Sequence, residues 1–168
     1  TPRSHVSSAP IASALKKIEA DTTKYEEFVR FVKQVIPDFS SFVIGYEDHE
    51  YVKYITTQGV THKSDYLGDG VISILRILAH LFLNNPAPLI IDEPELSLHP
   101  LAQKRLFMVI AECAMSRQII ISTHSPYFVS WDYIRNGAVL NKVLKTGDKK
   151  SEIKTLQDFT LYEQLISG

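Results

Sequence analysis

An α/β fold with a parallel sheet is the class this sequence predicts, and three features carry the prediction. A short apolar run at residues 88–91 ends in the adjacent acids Asp92 and Glu93 and then Pro94. A second apolar run, residues 118–122, leads into Thr123-His124-Ser125-Pro126. Between the two, Leu106, Val109, Ile110, Cys113 and Ala114 recur at helical spacing, with Gln103, Lys104 and Arg105 on the opposite face. Strand, helix and strand in this order form a crossover unit whose two strands lie parallel in one sheet.

The remaining elements follow in chain order. Residues 1–10 are rich in serine and proline and read as a tail or a cut end, so residues 1–20 are set apart from a domain at 21–168. Asp21 or Thr22 N-caps an amphipathic helix whose stripe is Tyr25, Phe28, Val29, Val32 and Ile36, and Pro37 stops it. Two strand-like runs, 41–46 and 50–57, flank Glu47-Asp48-His49 and predict an antiparallel hairpin. His49 and Glu50 belong to a solvated turn, because no second cluster at metal-ligand spacing accompanies them. Next, Gly68-Asp69-Gly70 feeds a strongly apolar helix over residues 71–83, and Pro100 suits the first turn of the helix between the parallel strands. Residues 137–145 and 152–156 pattern as a closing hairpin, and 162–165 as a last helix.

Composition bounds the function. With 168 residues, 45% hydrophobic and 22% charged, one compact globular domain is expected. A net charge of -1 gives no overall footprint for nucleic acid, and the lysines at 142, 145, 149, 150 and 154 read as a solvated face. The single cysteine, Cys113, excludes a disulfide framework and reads as a small buried hydrophobe in a reducing compartment. No apolar run reaches the length of a membrane span and no secretory layout opens the chain, so a cytoplasmic location without a membrane partner is expected.

The chemistry gathers at the strand ends. Open α/β sheets bind ligands at the carboxyl edge of their strands. There Asp92 is the acid that holds Mg²⁺, directly or through water, and Glu93 is the base that orients or deprotonates an attacking water. Parallel strands end on the same side, which brings His124 to the same edge. The turn at 68–70 offers backbone amides at a helix start, a sensible place for phosphate, although by itself such a turn is more often a helix cap.

These segments, Gly68-Asp69-Gly70, LIIDEPELSLHP at 89–100 and IIISTHSP at 119–126, resemble ABC-type ATPases in wording, order and spacing. The wording DEPELSLHP and STHSP is similar to the RecF-like and OLD-family (overcoming lysogenization defect) ATPases, which include effectors of bacterial antiphage systems. The resemblance is specific over residues 66–128. It implies the C-terminal part of an ATPase lobe: Leu67, Gly68, Asp69 and Gly70 as the signature loop, 89–93 as Walker B, 95–99 as the D-loop with Ser97 at the nucleotide, and His124 as the switch histidine. ATP and Mg²⁺ are the implied cofactors. A second lobe is the implied partner, in a homodimer or larger assembly, with the signature turn of one lobe facing phosphates held by the other.

The sequence departs from the family pattern twice. No G-x-x-x-x-G-K-[ST] occurs, so the Walker A half that cradles the phosphates is expected elsewhere, the first residue is not the natural start of a lobe, and the isolated chain is expected to be inactive. Gly68 stands where many ABC proteins carry serine, which leaves that contact to backbone amides. OLD-like proteins continue into a Toprim nuclease, but no acidic cluster follows His124 here, so such an effector lies after Gly168 or in a partner. Three functions stay open: an ATPase gating a DNA-directed or antiphage effector, a RecF-like DNA repair or chromosome-maintenance ATPase, and a non-enzymatic interaction module.

Overall fold

The computed structural model describes residues 9–47, 50–63, 69–83, 87–147 and 150–156. Where composition predicts one compact domain, the chain divides after Thr123 into two compact units. His49, Leu67, Gly68, Lys149 and the helix expected at 162–165 lie outside the described residues.

In the first unit, α1 (Ala9–Glu19) and α2 (Thr22–Val35) precede a hairpin of β1 (Phe39–Tyr46) and β2 (Glu50–Thr56). The carboxylate of Asp21 caps α2 by accepting the Thr23 and Lys24 amides at 3.0 and 3.2 Å. The helix buries Phe28, Val32 and Val35, one stripe at 3.6-residue spacing, and ends just before Pro37. Helix α1 occupies part of the stretch read as a tail. Its Ile11, Leu15 and Ile18 are fully buried as one stripe at helical spacing, and it packs against α2, α3, β1 and β2, so tertiary burial adds to the helix propensity of its Ala, Leu and Lys residues.

The Tyr25 hydroxyl fastens α2 to β1 by donating to the Phe42 carbonyl at 2.9 Å and accepting its amide at 3.2 Å. Phe28 meets the Phe42 and Phe82 rings edge-on, at 5.8 and 5.5 Å between centroids, joining the hairpin to α3 (Asp69–Leu83) through one aromatic cluster. A third strand, β3 (Thr61–Lys63), extends the antiparallel sheet beside β2. Opposite Tyr51, Gly45 leaves room for the phenol ring, which a Cβ would approach to 2.3 Å.

The crossover unit has the predicted topology. β4 (Leu89–Asp92) and β5 (Ile119–Ser122) pair in parallel, with Leu89 opposite Ile119 and Asp92 opposite Ser122, and α4 (Pro100–Ala114) connects them. Ile91 is buried on one face of this sheet, while Ile90 and Ile120, cross-strand partners on the other face, are 75% and 51% exposed.

The second unit comprises a 3-10 turn at Pro126–Phe128, helix α5 (Trp131–Arg135) and an antiparallel ribbon of β6 (Leu140–Gly147) and β7 (Lys150–Leu156). The ribbon answers to the predicted closing hairpin, shifted and lengthened by a few residues.

Candidate functional site at the carboxyl edge of the parallel sheet

Asp92 is the last residue of β4 and is exposed, so its carboxylate projects at the sheet edge with access to solvent. Glu93 follows with φ 47, a left-handed conformation uncommon for a residue with a side chain. Its amide donates to the Ser122 carbonyl at 2.8 Å, extending the ladder one step past Asp92. The chain therefore turns sharply at Glu93 while remaining tied to β5. Strain of this kind is held only when surrounding bonds determine it, and it concentrates at functional positions.

Two consecutive turns follow. The Leu96 amide donates to the Glu93 carbonyl at 3.2 Å, and the Leu98 amide to the Glu95 carbonyl at 3.0 Å. Ser97 is the second left-handed residue, with φ 63. His99 closes the loop by capping α4, its Nδ1 accepting the Leu101 amide at 3.3 Å, and the Gln103 side chain donates to the Leu98 carbonyl at 2.9 Å. A further anchor comes from Thr123, whose hydroxyl donates to Glu95 Oε1 at 2.6 Å. Sequence reasoning passed over Thr123 and Glu95 as a pair. Their only sequence signal is that each stands just beyond one of two parallel strands.

The start of α3 reaches the same loop. Gly70 is buried, and a Cβ there would meet the Ser97 carbonyl oxygen at 2.5 Å and the Leu98 side chain at 3.0 Å. Gly70 and Ser97, chosen separately from the sequence, are thus neighbours within one chain. The backbone of Asp69 begins α3. His124 is exposed and opens the second unit, two residues after β5 ends at Ser122.

Among the described residues no group of three or more His, Cys, Asp or Glu side chains gathers as metal ligands. An exposed carboxylate at a strand end still suits Mg²⁺, which keeps several waters and is commonly held by one or two carboxylates together with substrate phosphates. The residues present therefore fit a cation delivered with a nucleotide, not a cage made by protein alone. Among the described residues no helix is long and apolar enough to cross a membrane.

Solved structures share this architecture. A structure from work on ATP-driven dimerisation and DNA-stimulated activation of SMC ATPases superposes with a TM-score of 0.65 at 15% identity, covering 85% of this chain and 89% of that one. The Smc head domain of Pyrococcus furiosus, with an extended coiled coil and bound to the C-terminal domain of ScpA, gives 0.63 at 15% identity over 85% of this chain and 37% of that chain. The SMC head domain of Thermotoga maritima gives 0.55 at 16% identity over 88% and 52%. The chain thus spans less than two thirds of the latter two, and at these identities the likeness is one of fold. No curated protein matches the sequence. Residues 7–130 match the family described as "AAA domain, putative AbiEii toxin, Type IV TA system", and the chain belongs to that family of AAA domains.

Proposed function

We propose that this chain is the Walker B-bearing, C-terminal part of an ABC-type ATPase lobe that hydrolyses ATP once a phosphate-binding half completes it. The observation that carries the reading is the pair Asp92 and Glu93 at the carboxyl edge of a parallel sheet, with Glu93 turned to φ 47 and bonded to Ser122. Asp92 would hold Mg²⁺ on the nucleotide phosphates. Glu93 would take the proton of the attacking water, and His124 would stabilise the γ-phosphate. Mg²⁺ supplies charge neutralisation of the phosphates when bound.

The bare face of the two-stranded sheet supports an added half. Parallel sheets are covered on both faces, yet Ile90 and Ile120 stand exposed side by side. Further strands and helices carrying the phosphate loop would extend and cover this sheet. In the assembled protein the signature turn, with Leu67, Gly68, Asp69 and Gly70, would face ATP held by a second lobe. Ser97 would stand at the same junction.

The motif wording supports an OLD-like or RecF-like ATPase, and the likeness to SMC heads supports a nucleotide-gated dimer working beside DNA. The family description adds a toxin–antitoxin setting, in keeping with an antiphage effector gated by ATP. The test is Glu93→Gln in the complete protein. General-base loss slows turnover by roughly 10²- to 10⁴-fold while ATP remains bound. Wild-type turnover, or failure to bind ATP, would remove Glu93 from the role of base.

A further inference from the structure

We propose that the β6–β7 ribbon is a docking surface for the phosphate backbone of duplex DNA, a role separate from the nucleotide reading above. Residues 140–156 hold five lysines against two acids, in a chain whose net charge is -1. The fold turns this local excess into a surface. Lys142 and Lys154 are direct cross-strand partners and therefore share one face of the ribbon. Lys145 and Lys150 stand at its turn end, and all four are exposed.

Like charges opposite each other destabilise a strand pair, and nothing nearby offsets this one strongly. The acid beside it is Glu152, 3.8 Å from Lys154, in an exposed pair worth little in water. Among the described residues, no ion pair joins an acid to Lys142, Lys145 or Lys150. The contrast is with Lys16 and Lys63 of the first unit, paired to Glu50 and Glu47.

A second observation concerns shape. The opposite face carries the cross-strand pair Val143 and Ile153, 65% and 67% exposed, and both strands pair only with each other among the described residues. A lone two-stranded ribbon is marginal in water. It is also an element that the major groove of DNA admits, with the lysines of one face and of the turn end reaching phosphates. Charge complementarity thus selects a polyanion, and the narrow ribbon selects a grooved one.

The test is fluorescence anisotropy of a labelled 30-base-pair duplex titrated with the 168-residue chain over a series of salt concentrations. Binding is expected at low salt, with a log–log salt slope of about -3.6, from about 0.9 for each phosphate neutralised by the four lysines. Lys142→Gln/Lys154→Gln should weaken binding at least tenfold and flatten the slope by about 2. Lys142→Arg/Lys154→Arg should restore it, and Lys17→Gln/Lys33→Gln, on exposed positions of α1 and α2, should leave it unchanged. Circular dichroism on each variant separates lost contact from lost fold. The proposal is overturned if the duplex does not bind at low salt, or if the ribbon variant, folded, binds as the wild type does. It is equally overturned if a poly-glutamate peptide competes as well as unlabelled duplex at equal charge, which would make the ribbon a site for acidic protein.

Discussion

Gly70 and Ser97 meet backbone to backbone: a Cβ on Gly70 would lie 2.5 Å from the Ser97 carbonyl oxygen, closer than real contacts allow. The φ of Gly70 is not left-handed, so glycine is required for space and not for conformation. Any side chain at 70 pushes on the loop that leaves Glu93. Gly70→Ala should therefore cost about 1–3 kcal/mol through overpacking, read as a lower urea midpoint for the chain. Wild-type stability would show that the loop yields freely. The same contact means that a larger residue here, such as arginine, disturbs the chain's own loop before it reaches a second lobe.

Ser97 makes the complementary case, because its constraint is conformational. At φ 63 and exposed, it loses no packing when the side chain changes. Glycine relieves the left-handed cost but adds freedom to the unfolded chain, so Ser97→Gly should stay within about 1 kcal/mol of wild type. Ser97→Val should be at least about 1 kcal/mol less stable than Ser97→Gly, since β-branching resists positive φ. Thermal unfolding of the two variants gives the comparison. Equal stabilities would show that residue 97 relaxes out of the left-handed region.

Thr123 secures the loop from the neighbouring strand. Its hydroxyl donates to the partly buried Glu95 carboxylate at 2.6 Å, a charge-assisted bond. Thr123→Val keeps the shape and removes the donor, and should cost about 1.5–3 kcal/mol. Thr123→Ser, which retains the hydroxyl, should lose less than about half of that. Denaturant midpoints decide between them, and equal losses would assign the effect to the methyl group instead of the hydrogen bond.

What was legible in the sequence was what burial writes directly. The parallel strands were readable because a strand of a parallel sheet, covered on both faces, is nearly all Ile and Leu, and the run at 118–122 differs from β5 by one residue. The α2 stripe was readable for the same reason, and its cap because Asp21 carries an acceptor suited to free helix amides. Strand β3 was not. Thr61-His62-Lys63 has no apolar alternation, and it forms by pairing with the β2 edge while His62 stacks on Tyr54 at 4.8 Å. Helix α1 was legible in part, since Ile11, Leu15 and Ile18 repeat at helical spacing, but the serine- and proline-rich residues just before it have the composition of a tail. At the site, the acids were legible as types, but the left-handed turns at Glu93 and Ser97 were not, since neither residue is Gly or Asn. The approach of Gly70 to Ser97 is a tertiary contact that no local pattern encodes.

Cys113 provides a pH-dependent test. Burial pushes its thiol above the ordinary range and Glu112 adds to this, against the opposing pull of the Arg117 guanidinium. A raised folded-state value favours the protonated thiol, so the native chain should be alkylated by iodoacetamide at pH 8 more slowly than the denatured chain. The linked contribution to stability is fully present below the ordinary thiol value of about 8.5 and is lost as pH rises through the raised folded value. Equal alkylation rates would mean that the thiol is as solvated in the fold as in the unfolded chain.

Arg117 is buried at 8% exposure, just before β5, and its guanidinium donates to the Leu81 carbonyl at 3.0 Å and to the Ala87 carbonyl at 3.4 Å. Leu81 belongs to the last turn of α3, where carbonyls lack helical partners and a cation is favoured by the helix dipole. One side chain therefore closes the C-terminal end of α3 and fixes the segment entering β4, while the other end of α3 rests on Ser97 through Gly70. Arg117→Met fills the volume but leaves those carbonyls without the donor, and should cost about 2–3 kcal/mol in urea unfolding. Arg117→Lys keeps the charge yet lacks the planar fork that reaches two acceptors, so it should recover less than half of the loss. Hydrogen exchange should show the deficit first in the last turn of α3. Full stability in Arg117→Lys would mean that charge at the helix end is sufficient, and that the bridge between the Leu81 and Ala87 carbonyls contributes nothing of its own.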